Sequence, residues 1–413
     1  MSWTIWRRVA RARRLFPLRL GGALLLAASA WVVFSFSPAQ SDFLLHPAGL
    51  VALALVLACT LVVVAGALTL RRAVSRLEPG LPDSLETRRD RPTTFRIPRL
   101  RRWLVLDLRL EWLWPEAVAV ELEPAGAWLE EYVRPRQRGR FTQVTRRFTV
   151  EDVFGLAGVT FDVTWQTPLR IAPAIATSTT ELASTRSHGD SFSHPAGNAE
   201  GDLVEMRQYA DGDSMRHVLW KTYARSRRLL VRMPERALAP RPLNVAFLVT
   251  GQGDEPSAGT ARLYVERGLL GADFVFSADG AARPARTPAE AVEQIVDSAA
   301  ARGDGGATLD SLAAQIDPAR LASCLVFAPP VDGPWRARLV ALVRRRSIAA
   351  TVVIGVDDPG EPEPRGRLQR FLLRAPDDAP ERRALLALPA LRAALEADGL
   401  RVHVVHRSTG RVL

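Results

Sequence analysis

Two uncharged apolar runs open the chain, and the period of its polar and apolar positions changes twice after them. Leu20–Ser37 and Pro47–Leu70 contain no Asp, Glu, Lys or Arg. A helix rising about 1.5 Å per residue needs about 20 apolar residues to cross a hydrocarbon core of roughly 30 Å. The pattern therefore predicts a two-helix transmembrane hairpin over residues 20–70, with spans at about 20–37 and 47–70. From Thr93 to Pro173 the period is two. Val159, Phe161, Val163 and Trp165 alternate with Thr160, Asp162, Thr164 and Gln166, and Leu104, Leu106, Leu108, Leu110 and Trp112 alternate with Val105, Asp107, Arg109 and Glu111. Strands with one dry and one wet face read this way, so an antiparallel β domain is expected over residues 80–176.

Residues 177–200 are rich in Ser, Thr, Gly and Ala and poor in bulky apolar side chains, which predicts a flexible loop. A short polar segment, residues 201–236, follows. Beyond it, Leu243–Thr250, Ala322–Phe327, Ala349–Val356 and Arg401–Val405 read as buried strands. Pro288–Arg302, Thr308–Ile316, Pro334–Arg345 and Pro380–Glu396 between them read as amphipathic helices. That alternation predicts a mostly parallel sheet covered on both faces, over residues 237–413. The fold class expected is multidomain, α/β plus β.

The arginines orient the hairpin. Arg7, Arg8, Arg11, Arg13, Arg14 and Arg19 precede the first run, and Arg71, Arg72 and Arg76 follow the second. The connection between them holds Asp42 and His46 but no Lys or Arg. The positive-inside rule then makes residues 1–19 a basic cytoplasmic tail and puts both termini in the cytoplasm. The net charge of +11 is partly this tail, so the remainder is only mildly basic, as suits a chain beside an anionic leaflet. No basic stripe interleaved with aromatics marks a nucleic-acid module. Cys59 lies in a span and Cys324 in an apolar run, a pair with no plausible disulfide. The arginines of Arg134–Arg147 read as solvated strand faces with a turn at Gly139.

Residues Gly201–Arg232 hold the densest polar cluster: Glu205, Arg207, Tyr209, Asp211, Asp213, Arg216, Trp220, Lys221 and Arg225. Lys221 is the only lysine in the chain. Leu203–Tyr209 reads as a strand, Asp211-Gly212-Asp213 as a turn, and Arg228–Met233 as a returning strand. Asp213 or Ser214 can cap a helix running to about Arg227, on which Arg216, Trp220 and Ala224 share a face. One reading is a buried or half-buried ionic network, in which Asp213 and Glu205 pair with Arg207, Arg216 or Arg225 and Trp220 anchors the helix on the sheet, so that Arg216→Glu would disturb folding. The other is a recognition surface, or a catalytic cluster using Asp211, Asp213 and Lys221.

Specific chemistries find little support. Lys221-Thr222 resembles the end of a phosphate-binding loop, but the glycines that loop needs before its lysine are missing. The Gly-Asp-Ser triplets at Gly189–Ser191 and Gly212–Ser214 are not nucleophile elbows. His403 and His406 are three apart on a terminal strand, a poor metal site. These readings assign no catalytic residue, no cofactor and no metal.

The polar segment resembles the signature of the bacterial family known as domain of unknown function fifty-eight, roughly R-x-Y-x-x-G-D-x-x-R-x-I-x-W-x-x-x-A-R. Here it is carried by Arg207, Tyr209, Gly212, Asp213, Arg216, Val218 in the apolar position, Trp220, Ala224 and Arg225. Upstream, Gln137-Arg138-Gly139-Arg140-Phe141, Glu151-Asp152-Val153-Phe154-Gly155-Leu156 and Leu169–Pro173 resemble further family elements, and the apolar hairpin resembles its usual start. The resemblance implies a von Willebrand factor type A-like (Rossmann-type) domain at the C-terminal end. The D-x-S-x-S metal motif of that fold is replaced here by Thr250-Gly251-Gln252-Gly253-Asp254; Gly305-Gly306-Ala307-Thr308 and Asp332-Gly333 resemble what is left of its other ligand loops. It also implies a protein of the bacterial inner membrane that partners a MoxR-type AAA+ ATPase as an adaptor or scaffold. A hydrolase or transferase using Asp211, Asp213 and Lys221 is the alternative.

Overall fold

The computed structural model describes residues 17–35, 44–99, 106–175, 203–210, 215–234, 243–316, 321–346, 348–357 and 380–413. The predicted loop 177–200, most of the basic tail and the Asp211-Gly212-Asp213 turn lie outside them. The protein is a mixed α/β molecule with several sheets and one long apolar helix.

That helix, α2 (Leu45–Val74), is the one described helix long and apolar enough to cross a membrane. The first predicted span forms α1 (Leu20–Ser35), 16 residues and shorter than such a crossing asks. The two pack together where a Cβ on Gly49 would lie 3.1 Å from Val32 and Val33 side chains. The second predicted span is shortened by its own end. Ala67, Leu70 and Val74 are buried with Phe95, Ile97, Leu110, Phe148, Val150 and Phe161 in the core of the β domain. A Cβ on Gly66 would meet Leu106 at 2.5 Å. The part of α2 clear of the β domain therefore ends near Gly66, not at Leu70.

The β domain has two sheets. β1 (Ser84–Glu86), β7 (Gly158–Ala172), β6 (Gly139–Asp152) and β3 (Leu106–Trp114) form one, in that order; β2 (Arg91–Pro98), β5 (Trp128–Pro135) and β4 (Val118–Ala125) form the other. All neighbours are antiparallel except β1, which runs parallel to β7 with Leu85 opposite Ile171. At about 3.3 Å per residue the β6–β7 hairpin is roughly 45 Å long, so its two ends serve different neighbours.

The expectation of solvated arginines about a turn at Gly139 fails in this domain: Gly139 opens β6, and Arg138 and Arg146 are both buried. Arg146 is not on a solvated face: its side chain and that of Glu131 are both wholly buried, 2.7 Å apart. Trp112 Nε1 (2.7 Å) and Thr93 Oγ1 (2.7 Å) donate to the same carboxylate. The guanidinium lies 4.0 Å from the Phe95 ring centroid and 5.1 Å from those of Trp112 and Trp165. Aromatic faces and a fully hydrogen-bonded partner offset the desolvation that isolates most charges from cores.

After the polar segment comes a parallel five-stranded sheet in the order β11 (Phe274–Ala278), β10 (Leu243–Leu248), β12 (Leu321–Ala328), β13 (Ala350–Val356), β14 (Arg401–His406). Its helices are α4 (Glu255–Glu266), α5 (Pro288–Asp297), α6 (Leu309–Ala314), α7 (Pro334–Arg346) and α8 (Pro380–Ala397); α3 belongs to the polar segment. Two apolar layers sandwich the strands: one holds Phe247, Val326, Val352, Trp335 and Leu339, the other Leu248, Phe276, Phe327, Tyr264 and Ile295. Burial pushes the Cys324 thiol up to about 12, which leaves it unreactive in the sheet.

The β domain sits on this sheet through charged contacts. Arg88 reaches Asp357 at 3.1 Å, Arg170 reaches Glu293 at 2.9 Å, and Arg140 reaches Asp297 at 2.9 Å. Arg262 of α4 answers from the other side, donating to Pro173 O at 2.8 Å and pairing with Glu86 at 3.0 Å.

Candidate functional site

The polar segment folds as a small unit. β8 (Leu203–Gln208) pairs antiparallel with β9 (Leu230–Pro234), as the flanking strands predict. The helix between them does not run whole. A 3₁₀ turn at Met215–His217 is followed by α3 (Trp220–Ser226), and the break falls at Val218. Val218 is buried and bridges Val231, while the Leu219 N–H donates to Leu230 O at 2.9 Å. Bonding to β9 takes these backbone groups away from a helix. Arg216 and Trp220 therefore do not share one helical face, although Trp220 and Ala224 do.

The exposed side of this unit holds most of the described signature. Arg216, Trp220, Lys221, Ala224 and Arg225 are all exposed, and Trp220 stacks edge-on against Tyr223 at 6.4 Å between centroids. Trp220 is 53% exposed, so it anchors no helix to a sheet. These side chains face solvent; the acid side chains that the network reading pairs with them, those of Glu205 and Asp213, lie outside what the structure describes. Tyr209 is half-buried, and its N–H donates to Leu229 O. Arg207 lies on β8; Asp211, Gly212 and Asp213 fall outside the described residues, so no geometry joins them to Lys221.

A second concentration of charge, missed in the sequence, lies at the carboxyl ends of the parallel strands. This is the switch point of the sheet, where β10 is flanked by β11 on one side and β12 on the other, and such crevices are where α/β sheets hold ligands. Here the β domain has pushed an arginine into it. Arg138, just before β6, is wholly buried and donates to Asp254 Oδ2 (2.8 Å), Ser298 Oγ (3.1 Å) and Ile295 O (2.9 Å). Its own N–H donates to Glu255 Oε1 at 3.0 Å. Burial alone would pull its pKa down; Glu255 and Asp254 outweigh that and hold it above its ordinary value.

Beside this plug lies a cavity of about 480 Å³, lined among others by Arg88, Arg136, Gly251, Glu255, Arg302 and Asp357. Its carboxylates are paired with arginines, Asp254 and Glu255 with Arg138 and Arg302, Asp357 with Arg88 and with Arg407 at 2.7 Å, while Glu255 Oε2 and Asp357 Oδ2 accept no hydrogen bond from the described residues. A general base needs an unclaimed lone pair facing its substrate, and a metal needs several converging ones. Among the described residues no three His, Cys, Asp or Glu side chains converge in that way.

The loops that resemble a metal site serve the fold instead. The Thr250 N–H donates to Asp279 Oδ2 at 2.9 Å while its Oγ1 donates to Ala301 O at 2.7 Å, and the Gly306 N–H adds a second bond to Oδ2 at 2.8 Å. Thr308 Oγ1 donates to Asp279 Oδ1 at 3.2 Å. Asp332 turns away to Arg336 at 2.8 Å. Asp279 thus ties two loops together, and no sequence motif marked it. No family model matches the chain, and no curated protein and no solved structure matches it either.

Proposed function

We propose that this chain is a membrane-anchored, cytoplasm-facing adaptor or scaffold of the bacterial inner membrane. Its partner in this reading is a MoxR-type AAA+ ATPase, and its role is to hold that ATPase at the membrane during assembly or remodelling of protein complexes. The observation that carries it is the exposed signature unit: aromatic and basic side chains stand in solvent on the 3₁₀ turn and short helix between β8 and β9. Solvent-facing Trp and Arg are the side chains that dominate protein interfaces. The arginine-paired carboxylates at the sheet switch point join the β domain to the α/β sheet, which supports a scaffold.

The finer fold assignments belong to the same reading. α1 and α2 form the membrane hairpin. The C-terminal sheet is a degenerate von Willebrand factor type A-like domain, supported by its parallel order and by the antiparallel bridge of Ala285 to edge strand residue Phe276.

The test places a photo-crosslinking residue at Lys221 of the full-length chain in native membranes, with Glu123 on β4 as the control position. Crosslinks to the ATPase from position 221, absent at 123 and lost in Trp220→Ala, are expected. A folded, membrane-inserted protein that crosslinks to no ATPase from position 221 would overturn the adaptor reading.

A further inference from the structure

Val153 and Phe154 are 57% and 60% exposed, two large apolar side chains adjacent on one turn. The turn is preformed rather than loose. Buried Asp152 accepts from the Phe154 N–H (2.8 Å) and the Ala157 N–H, and its own carbonyl takes the Gly155 N–H at 3.0 Å. Gly155 has φ +70°, the left-handed conformation that lets the chain turn so tightly. A fold that spends a buried carboxylate on holding Val and Phe in the open has fixed them for contact.

The place of the turn says what the contact is. It closes the β6–β7 hairpin at the end opposite Arg138, so it is the part of the β domain most distant from the α/β sheet. It also abuts the foot of α1: the Arg19 N–H donates to Leu156 O (2.9 Å), the Gly158 N–H donates to Pro17 O (2.8 Å), and Leu18 bridges Ala157. A Cβ on Gly22 would collide with Leu156 O at 2.1 Å, so the first turn of α1 lies directly on it. Leu20 and Leu24 of α1 and Leu57 and Leu61 of α2 continue the exposed apolar surface from there. The free stretch of α2 from Leu45 to Gly66 is about 30 Å long, the thickness of a hydrocarbon core. With that stretch in a bilayer, the turn falls at the cytoplasmic headgroup level.

We propose that the Val153–Phe154 turn is a bilayer contact, seated at the boundary between headgroups and acyl chains beside the two apolar helices. It gives the anchor a third point of contact, which adds to the hold that the buried end of α2 already has on the β domain. Amphipathic surfaces that lie in this boundary bury apolar side chains to a shallow depth without spanning. The proposal rests on the membrane-anchor reading above.

The test uses the full chain, with Cys59 and Cys324 replaced by alanine, in vesicles of phosphatidylethanolamine and phosphatidylglycerol. A polarity-sensitive dye is attached in turn to Val153→Cys, Leu57→Cys and Arg267→Cys, all exposed positions. Lipids carrying a nitroxide near the headgroup, and in a second set deep on the acyl chain, then serve as quenchers. The dyes at 153 and 57 are expected to lose emission, with 267 unchanged. Quenching at 57 without quenching at 153 overturns the bilayer contact and leaves the anchor standing. Quenching at neither position overturns both.

Discussion

Arg138 and Arg146 come from the same stretch of chain, are both wholly buried, and hold different things together. Arg146 looks across its own sheet pair to Glu131, in a pocket walled by Phe95, Trp112 and Trp165. Arg138 looks out of the β domain to Asp254 and Glu255, which sit at the start of α4 beside the strand ends of another sheet. The first is part of a core and the second is part of a joint. What differs is where the partner lies, not the arginine or its burial. A buried cation is weak evidence for either role until its counter-ion is located.

Breaking the core pair is expected to cost most. Arg146→Met leaves the Glu131 carboxylate buried with only Trp112 and Thr93 as donors. Removing one partner of such a pair costs about 3–5 kcal/mol, read as a fall in the urea midpoint of the detergent-solubilised chain. Adding Glu131→Gln, which is neutral and still accepts from Trp112, should recover part of the loss. An Arg146→Met midpoint equal to the wild type would show the pair to be dispensable.

Breaking the joint should leave both domains folded and let them part. Truncating one member of a buried, hydrogen-bonded charge pair at an interface costs about 2–5 kcal/mol. In Arg138→Met that loss should appear as a broadened distance distribution between spin labels at Glu123 and Arg267, with little change in the unfolding of the β domain. A sharp, unchanged distribution would mean that the flanking pairs of Arg88, Arg140 and Arg170 suffice. Gly259→Val acts on the same joint by bulk: its Cβ would lie 2.4 Å from Ala174 O and 2.6 Å from Arg407 Cδ. Overpacking of this kind costs about 1–3 kcal/mol, so it should broaden the same distribution less than Arg138→Met. A larger effect from Gly259→Val would rank shape above charge at the joint.

These positions also show how far the sequence could be read. Strands β10, β12, β13 and β14 were legible because parallel, doubly covered strands are continuous apolar runs. Helix α4 was not, because its helical stripe is hidden: Ser257, Gly259 and Thr260 are buried among its apolar residues. Ser257 Oγ donates to Ala328 O at 2.6 Å and accepts from the Gly355 N–H at 2.9 Å, so a polar residue does a packing job. Strand β11 was lost with it. Arg146 did carry a signal, since it shares its period-two phase with Val144, Phe148 and Val150 and so points inward. Composition argued the other way, and nothing local in the sequence identifies Glu131 as its partner. The strand–helix–strand order of the signature was legible from its local pattern. Its outward aspect was not, because exposure depends on what the rest of the chain leaves uncovered.

Arg216 completes the series as the arginine with no buried role. It stands on the 3₁₀ turn in solvent, and among the described residues a reversal of its charge removes no buried partner. Surface substitutions away from caps and cores usually change stability by no more than about 0.5 kcal/mol. Arg216→Glu should therefore keep the wild-type urea midpoint while weakening whatever crosslinks through Lys221. A drop comparable to that of Arg146→Met would place Arg216 in a network reaching into the Asp211–Asp213 turn, and would make the signature a structural device after all. The same charge would then matter for folding at an exposed site, which exposure and desolvation together argue against.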